Sequence, residues 1–183
     1  MDAQPTLTTE RLTLRPFSEA DIAVVAKLAN DRDIADNTIN IPHPYNEAIA
    51  GEWISTHRDA YAKRTGAVFA AVITESGEFI GSIALTFALE FDNAELGYWI
   101  GKPFWGNGYC TEAAREIVRW GFQEIGLHKI YASYFPRNPA SGKVMEKIGM
   151  KKEGCLREHR KVRGNHESLV YYGILEREFR GQE

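Results

Sequence analysis

The sequence predicts a single domain, spanning residues 1–183, of the α/β class in its α+β sense. Apolar alternation indicates about seven strands, and apolar residues at helical spacing indicate about four helices. The elements follow the order β α α β β β α β α β β, in which residues 94–135 form the one strand–helix–strand unit. Such a unit needs a crossover and makes its two strands parallel neighbours. We therefore expect a mixed, mostly antiparallel twisted sheet with one parallel pair.

The chain begins with a predicted strand and a predicted helix. Residues 11–17 alternate apolar Leu12 and Leu14 with polar side chains, as in a half-buried strand. Ser18 is a suitable N-cap for a helix that runs to about Ala29. The sheet therefore starts at an edge that a helix follows directly.

A proline-interrupted loop and a second helix come next. Residues 37–46 are interpreted as loop, because two prolines break any regular run. Asn46 can cap the second helix, and Gly66 is expected to end it. The remaining predicted elements are a meander of strands at 67–74, 79–89 and 94–101, a helix at 111–126, a strand at 128–135, a helix at 138–149, and a hairpin of strands at 151–161 and 167–177.

Composition excludes several classes of protein. The formal net charge is −3, whereas a general nucleic-acid binder is usually basic. The two cysteines are far apart and form no CxxC pair, which favours free thiols over a disulfide framework. The five histidines show no metal-ligand spacing, so no metal is expected. The first residues lack a signal-peptide pattern and no apolar run is long enough to cross a bilayer, so we expect a cytoplasmic protein without membrane contact.

The stretch KPFWGNGYCTEA, residues 102–113, places Gly106 and Gly108 directly before a helix. Two interpretations are open on spacing alone. Glycines are common in tight turns, and they also expose the free N–H groups and partial positive charge of a helix start to an anion. A dinucleotide fingerprint is excluded, because Thr111 stands where its third small residue belongs. A P-loop is excluded, because SGKV at 141–144 ends in valine.

A third pattern fits this region. The stretch AELGYWIGKPFWGNGYCTEA, followed by NPASGKVMEKIGMKKEG, closely resembles the acetyl-CoA-dependent N-acetyltransferases of the GNAT superfamily. The likeness is greatest to the subgroup that includes ribosomal-protein N-terminal acetyltransferases, and it covers nearly the whole chain. The family's pyrophosphate loop, Q/R-x-x-G-x-G/A, runs here from Pro103 to Gly108, with proline replacing the glutamine or arginine. The resemblance implies a GNAT-type fold, in which the two parallel strands splay apart.

The resemblance also implies acetyl-CoA as co-substrate. Its pyrophosphate is expected on backbone amides of about residues 106–111, and its pantetheine arm is expected to pair with the free edge of the splayed strands. The thioester carbonyl would meet an N–H near Ile100, acting as an oxyanion donor. The amide of Asn138 would bond the pantetheine arm, although a plain N-cap is the alternative. The expected cofactor-binding residues are Trp99, Ile100, Gly106, Asn107, Gly108, Tyr109, Cys110, Thr111, Asn138 and Ser141.

Glu95 is the candidate catalytic base. It is the only charged residue in AELGYWIG, and strand alternation places it on one face with Gly97 and Trp99. A carboxylate there can take the proton that an attacking ammonium group must lose. The alternative is a partly exposed glutamate paired with a lysine or arginine.

Ser141 is the candidate acid for the leaving thiolate, because it matches the serine of the ribosomal-protein subgroup. Tyr134 and Tyr98 are the other candidates, and a first-turn serine that bonds backbone amides is the structural alternative. Cys110 lies at the helix start, where the dipole can lower a thiol pKa, but we interpret it as a small buried residue.

The acceptor is predicted to be a protein or peptide α-amine, attacked directly in a ternary complex. An α-amine has a pKa about 2.5 units below that of lysine, which makes its deprotonation easier by roughly 3.4 kcal/mol. A small-molecule amine, such as a polyamine or antibiotic, and a non-catalytic CoA-binding module are the alternatives. Neither nucleic acid nor membrane is expected as a partner, and the protein is expected to be a monomer or homodimer.

Two further segments have open interpretations. Residues 37–46, with Trp53 and Tyr61, either wall the acceptor site or form ordinary loop and core. The locally basic residues 157–164 are either a solvated hairpin or a patch for an acidic partner or the 3′-phosphate of CoA.

Overall fold

A computed structural model describes residues 3–180 and contains an open eight-stranded sheet. Its strands lie in the spatial order β1-β2-β3-β4-β5-β6-β8-β7, and the neighbouring pairs are antiparallel except for β5 with β6. The strands are β1 Leu7–Thr8, β2 Leu12–Arg15, β3 Gly66–Ile73, β4 Phe79–Ala88, β5 Asn93–Ile100, β6 Lys129–Tyr134, β7 Lys151–Val162 and β8 Asn165–Leu175. The predicted mixed sheet with one parallel pair is confirmed. The two-residue β1 was not predicted.

The helices flank both faces of the sheet. They are α1 Ile22–Ala29, α2 Arg32–Ala35, α3 Glu47–Ser55, α4 His57–Ala62, α5 Tyr109–Trp120, α6 Pro139–Lys147 and α7 Glu176–Arg180, and a π-helical turn at Gly121–Ile125 extends α5. Asn46 caps α3 as predicted, accepting a hydrogen bond from the Ile49 N–H at 3.0 Å. The prediction of one helix ending at Gly66 was wrong, because the helix breaks at Thr56 and Gly66 already belongs to β3.

The two largest apolar cores of the described residues lie on opposite faces of the sheet. Leu96 and Ile100 of β5 belong to the larger core, which also contains the buried face of α5. Trp99, on the other face of β5, packs with residues of α1 and α3 around Phe79. The strand alternation predicted for β5 is therefore present, and Glu95 and Gly97 share the α1–α3 face with Trp99.

The parallel ladder between β5 and β6 is short. It pairs three residues of each strand and ends at Glu95 with Tyr131. Beyond that point β5 continues along β4 as far as Ile100, and β6 continues along β8 as far as Tyr134. The two strands thus diverge at their C-terminal ends, and the splayed pair implied by the family resemblance is present.

A partly exposed ion pair joins the residue before β2 to the first turn of α5. The Arg11 guanidinium donates to Glu112 Oε2 at 2.7 Å, and the Arg11 backbone N–H donates to Glu112 Oε1 at 2.8 Å. The Thr9 hydroxyl adds a third hydrogen bond to Oε1 at 2.6 Å. A second arm of Arg11 donates to the carbonyl of Asn107 at 3.1 Å. This Arg11–Glu112 anchor fixes the glycine loop relative to the sheet.

The anchor makes stability depend on pH. Burial works to raise the pKa of Glu112, but the hydrogen bonds from Thr9 and Arg11 outweigh it and bring the pKa below its usual value of 4.5. A lowered folded-state pKa gives stability that is present above the unfolded pKa and lost as pH falls through the folded one. We expect Glu112→Gln to lower the free energy of unfolding by about 1–3 kcal/mol at pH 7, with the difference shrinking as the pH falls below the usual pKa of 4.5 and through the lowered folded-state pKa.

Urea unfolding at pH 7 and pH 3.5 measures this difference. Asp59→Asn is the control, because its ion pair with Lys63 is exposed on both sides and contributes little. An equal deficit of Glu112→Gln at both pH values would contradict the electrostatic account.

Candidate active site

Both glycines of the loop have a left-handed backbone. The φ angle is +81° at Gly106 and +80° at Gly108, a region that costs an L-residue roughly 1–2 kcal/mol. A Cβ placed on Gly106 would meet no atom within 4 Å, so the surface beside it is open. The two interpretations of the motif are therefore compatible, because the turn requires glycine and the same turn leaves space for a ligand.

The start of α5 offers unpartnered N–H groups. Gly108 is the N-cap and carries no side chain, so it makes no side-chain cap hydrogen bond. The first hydrogen bond into the helix runs from the Glu112 N–H to the Gly108 carbonyl at 3.1 Å. The N–H groups of Tyr109, Cys110 and Thr111 therefore lack an intrahelical acceptor. Together with the helix dipole they form a site suited to an anion.

Two side chains of the loop hold it in place. The Trp105 indole N–H donates to the carbonyl of Ile100 at 2.6 Å, which pins the loop against the end of β5. The Asn107 side chain donates to the carbonyls of Phe104 and Trp105 at 3.2 and 3.3 Å. The predicted cofactor residue Asn107 thus uses its amide within the loop. The role of Trp105 was missed, although an indole N–H near the surface commonly has a specific acceptor.

The edge of β5 that faces the gap carries free backbone groups. The Gly101 N–H donates to the Ile80 carbonyl of β4 at 2.8 Å. Successive N–H groups of a strand point in opposite directions, so the N–H groups of Ile100 and Tyr98 point away from β4 and into the gap beyond the last β5–β6 pair. Ile100 is therefore oriented as the resemblance implied. The ring of Trp99 packs on Phe79, and its carbonyl faces β4 beside Gly81, so neither group is turned into the gap.

Ser141 and Tyr98 form a close pair on the α5–α6 side of the gap. The Tyr98 hydroxyl donates to the Ser141 carbonyl at 2.9 Å, and its oxygen lies 2.9 Å from Ser141 Oγ. A phenol has one proton, so the Ser141 hydroxyl donates to Tyr98 in this arrangement. Burial raises the pKa of Tyr98, which makes it a poor acid. Tyr98 thus orients Ser141, and the predicted bond from Ser141 to backbone amides is not its role.

Asn138 and Cys110 lie on the same side of the gap but offer different groups to a ligand. Asn138 occupies the N-cap of α6, but its side chain makes no capping hydrogen bond, so the amide is free for a ligand. Cys110 packs against the larger core, and burial raises the pKa of its thiol to about 12. The thiol therefore stays protonated, and the backbone N–H is the group that Cys110 offers.

Glu95 lies on the opposite side of β5 and is half-buried. Within residues 3–180 it forms no ion pair with a lysine or arginine, in contrast to the predicted structural alternative. The Ser133 hydroxyl donates weakly to Oε1 at 3.4 Å. Burial raises the pKa of neighbouring Tyr131, and the Glu95 charge adds to the increase. The carboxylate thus keeps lone pairs for a substrate proton.

Two arginines connect the loop between α2 and α3 to the side of the sheet formed by β6, β7 and β8. Arg137 donates to the carbonyl of Asp36 at 2.6 Å and contacts Glu167 of β8 at 2.5 Å. Arg163, in the turn between β7 and β8, donates to the carbonyl of Ile41 at 2.6 Å. The loop is therefore held against the segment that follows β6 and against the β7–β8 hairpin.

The aromatic residues predicted with this loop lie elsewhere. Tyr61 is buried in the larger core, and Trp53 packs against Phe17 and His57 in the smaller one. Tyr61 is thus a core residue, and Trp53 is half-buried beside the smaller core. Residues 157–161 of β7 are exposed and Val162 is buried, which agrees with a solvated hairpin.

The described chain shows neither a metal cluster nor a membrane span. Within residues 3–180, no three His, Cys, Asp or Glu side chains are grouped so that they could hold a metal ion. In the same range, no helix has both the length and the apolar character needed to cross a bilayer.

The chain is similar in sequence to known N-acetyltransferases. The family model for the Acetyltransferase (GNAT) domain matches residues 11–151. The N-acetyltransferase p20 of Bacillus licheniformis, described as uncharacterized, is 30% identical over 177 residues, which cover 96% of this chain and 99% of that protein. The putative ribosomal N-acetyltransferase YdaF of Bacillus subtilis is 33% identical over 140 residues, covering 76% and 73%.

Solved structures share the fold. A GNAT-family acetyltransferase from Bacillus anthracis has a TM-score of 0.85 at 26% identity, covering 95% of this chain and 100% of that chain. The ribosomal L7/L12 alpha-N-protein acetyltransferase RimL, solved with coenzyme A, has a TM-score of 0.86 at 14% identity, covering 93% and 98%. A spermidine N-acetyltransferase from Vibrio cholerae, solved with CoA and spermine, has a TM-score of 0.79 at 22% identity, covering 93% and 99%. The last two identities support the fold alone. With a family model that covers most of its length, the chain belongs to the GNAT family of acetyl-CoA-dependent N-acetyltransferases.

Proposed function

We propose that the protein acetylates the α-amine of a peptide or protein N-terminus by direct attack in a ternary complex. The observation that carries the proposal is the splayed edge of β5. It turns backbone N–H groups toward the gap, and the same strand places Glu95 on an open face. A single strand thus brings an acyl-binding edge and a proton acceptor within a few residues of each other.

The residues of the glycine loop and of α5 hold the cofactor in this proposal. The N–H groups of 109–111 bind the pyrophosphate, and the turn at Gly106 and Gly108 keeps its path clear. The free amide of Asn138 bonds the pantetheine arm. The Ile100 N–H bonds the thioester carbonyl and gains strength as negative charge develops on that oxygen. Acetyl-CoA supplies the acyl group and a thiol leaving group.

Glu95 and Ser141 move the protons. Glu95 accepts a proton from the attacking amine, directly or through water. Nitrogen bonds to the acetyl carbon, the carbon–sulfur bond breaks, and the sulfur leaves with the electron pair. Ser141 passes its proton to that sulfur after its hydroxyl turns away from Tyr98, and it regains a proton, through water, from the second N–H that the acetylated nitrogen loses. A thiol with a pKa near 8.5 leaves readily as thiolate, so a weak acid is enough.

Acceptor chemistry and the relatives together favour an α-amine. The pKa of an α-amine is about 2.5 units below that of a lysine side chain, so a weaker base can deprotonate it. One relative of the chain is named as a putative ribosomal N-acetyltransferase, and RimL, which shares the fold, acts on an α-amine of a ribosomal protein. The spermidine enzyme with the same fold keeps small amines as the second candidate. We further propose a cytoplasmic monomer or homodimer with free thiols.

The glycine loop is tested by a pair of matched variants. Gly106→Ala and Gly126→Ala both place alanine at a φ of +80 to +81° where a Cβ meets no atom, so they carry the same backbone strain. We expect Gly106→Ala to weaken acetyl-CoA binding by about tenfold or more, because its strain shifts the N–H groups that bind pyrophosphate. Gly126→Ala should bind as the wild type does. Calorimetry on the folded variants decides, and equal affinities would remove the loop from the cofactor site.

The role of Glu95 is tested by Glu95→Gln, which keeps the size and removes the proton acceptor. We expect the rate at saturating acetyl-CoA to fall about 10²–10⁴-fold at pH 7, and less at pH values where the amine is already neutral. Glu90→Gln, which changes an exposed carboxylate just before β5, is the control. A wild-type rate of Glu95→Gln across pH would assign Glu95 to structure.

The acceptor class is tested with paired peptides. One peptide has a free N-terminus and a blocked lysine, and the other has the reverse. We expect acetylation at the α-amine, located by mass spectrometry, because it is the easier amine to deprotonate. Modification confined to the lysine peptide, or to a polyamine offered alongside, would refute the α-amine preference.

A further inference from the structure

Gly97 is exposed although it lies in the middle of the sheet. β5 is the fifth of eight strands, and α1 and α3 cover the same face nearby, at Trp99. Gly97 nevertheless faces solvent, and a Cβ built on it would meet no atom within 4 Å. The cover of this face is therefore interrupted above Gly97.

Neither backbone conformation nor crowding explains a glycine here. Gly97 is in regular strand and does not have the positive φ of Gly106 or Gly108. A Cβ on Gly81 of neighbouring β4 would come within 2.3 Å of the Trp99 carbonyl, so that glycine is needed for close packing. Gly97 has no such contact. What its missing side chain provides is open space on the face of the sheet.

The open space adjoins the groups of the proposed reaction. Gly97 lies between Glu95 and Trp99 on one face of β5, and opposite Ala84 of β4, which adds little bulk. On its other side β5 has already separated from β6. An amine placed between the Glu95 carboxylate and the Ile100 N–H must carry its first carbon over position 97.

We propose that Gly97 determines the shape of the acceptor by admitting amines branched at the carbon that bears the nitrogen. This inference rests on the proposed function and deepens it. The α-carbon of an N-terminal residue carries both a side chain and a carbonyl group, whereas the ε-carbon of lysine and the terminal carbons of a polyamine are unbranched. A side chain at position 97 occupies the space that the second branch needs, and an unbranched amine passes it.

The test compares Gly97→Val with Gly154→Val. Gly154 is also a strand glycine with no atom within 4 Å of a built Cβ, but it lies on β7, at the edge of the sheet. Valine has a higher strand propensity than glycine, so both variants should fold. Urea unfolding checks stability, and calorimetry with acetyl-CoA checks that the cofactor site is intact.

Activity is measured on two pairs of acceptors. One pair is a peptide with N-terminal alanine and a peptide with a free lysine and blocked N-terminus. The other pair is sec-butylamine and n-butylamine, which differ only in branching. We expect Gly97→Val to lower kcat/KM for the branched member of each accepted pair about 10–100-fold more than for the unbranched member. Gly154→Val should leave the ratios unchanged.

The outcomes separate this inference from the proposed function. Equal losses on branched and unbranched amines, or no loss, would overturn the role of Gly97. A wild-type protein that acetylates no branched amine would overturn it as well. A wild-type protein that modifies sec-butylamine but only the lysine peptide would contradict the α-amine proposal, and the butylamine ratio would still decide the role of Gly97.

Discussion

The short ladder between β5 and β6 is the constraint on which the rest of the site depends. β5 is held by β4 along its whole length, and β6 is held by β8 along its whole length, so the two strands cannot stay together once their directions diverge. Unpaired backbone N–H groups are costly when buried, and this edge keeps them toward a gap that a ligand can fill. The divergence of β5 from β6 therefore leaves an open sheet edge that can pair with a ligand.

The glycine loop and its anchors complete the proposed cofactor site beside that edge. Trp105 holds the loop against the last carbonyl of β5, and Arg11 holds it from the side of β2. The loop leads directly into the start of α5, whose first N–H groups lack intrahelical acceptors. On the other face of the same strand lie Glu95 and the open position at Gly97. In the proposed mechanism, the two substrates therefore meet from opposite faces of β5.

Much of this arrangement is readable from the sequence. The strand alternation of residues 94–101, the glycines before a helix and the single strand–helix–strand unit are local patterns, and each predicted its element correctly. The two-residue β1 and the four-residue α2 are too short for a periodic signal. The break at Thr56 was missed because the apolar pattern continues through it.

The contacts that hold the site are less predictable, because they join residues far apart in the chain. Arg11 meets Glu112 across 101 positions, and Tyr98 meets Ser141 across 43. No spacing rule connects such residues. The sequence named Ser141 and Tyr98 as separate candidates, and their hydrogen bond makes Tyr98 the group that orients Ser141. The open space at Gly97 was also not predictable, since it depends on where the helices end above the sheet.

Amide hydrogen exchange with and without coenzyme A tests the central claim most directly. The account predicts slower exchange on binding at the amides of Tyr98 and Ile100 on the β5 edge and at those of residues 109–111 at the start of α5. Amides of residues 121–126, at the far end of α5, should be unaffected. Protection confined to other parts of the chain, with the β5 edge and the α5 start unchanged, would contradict the account.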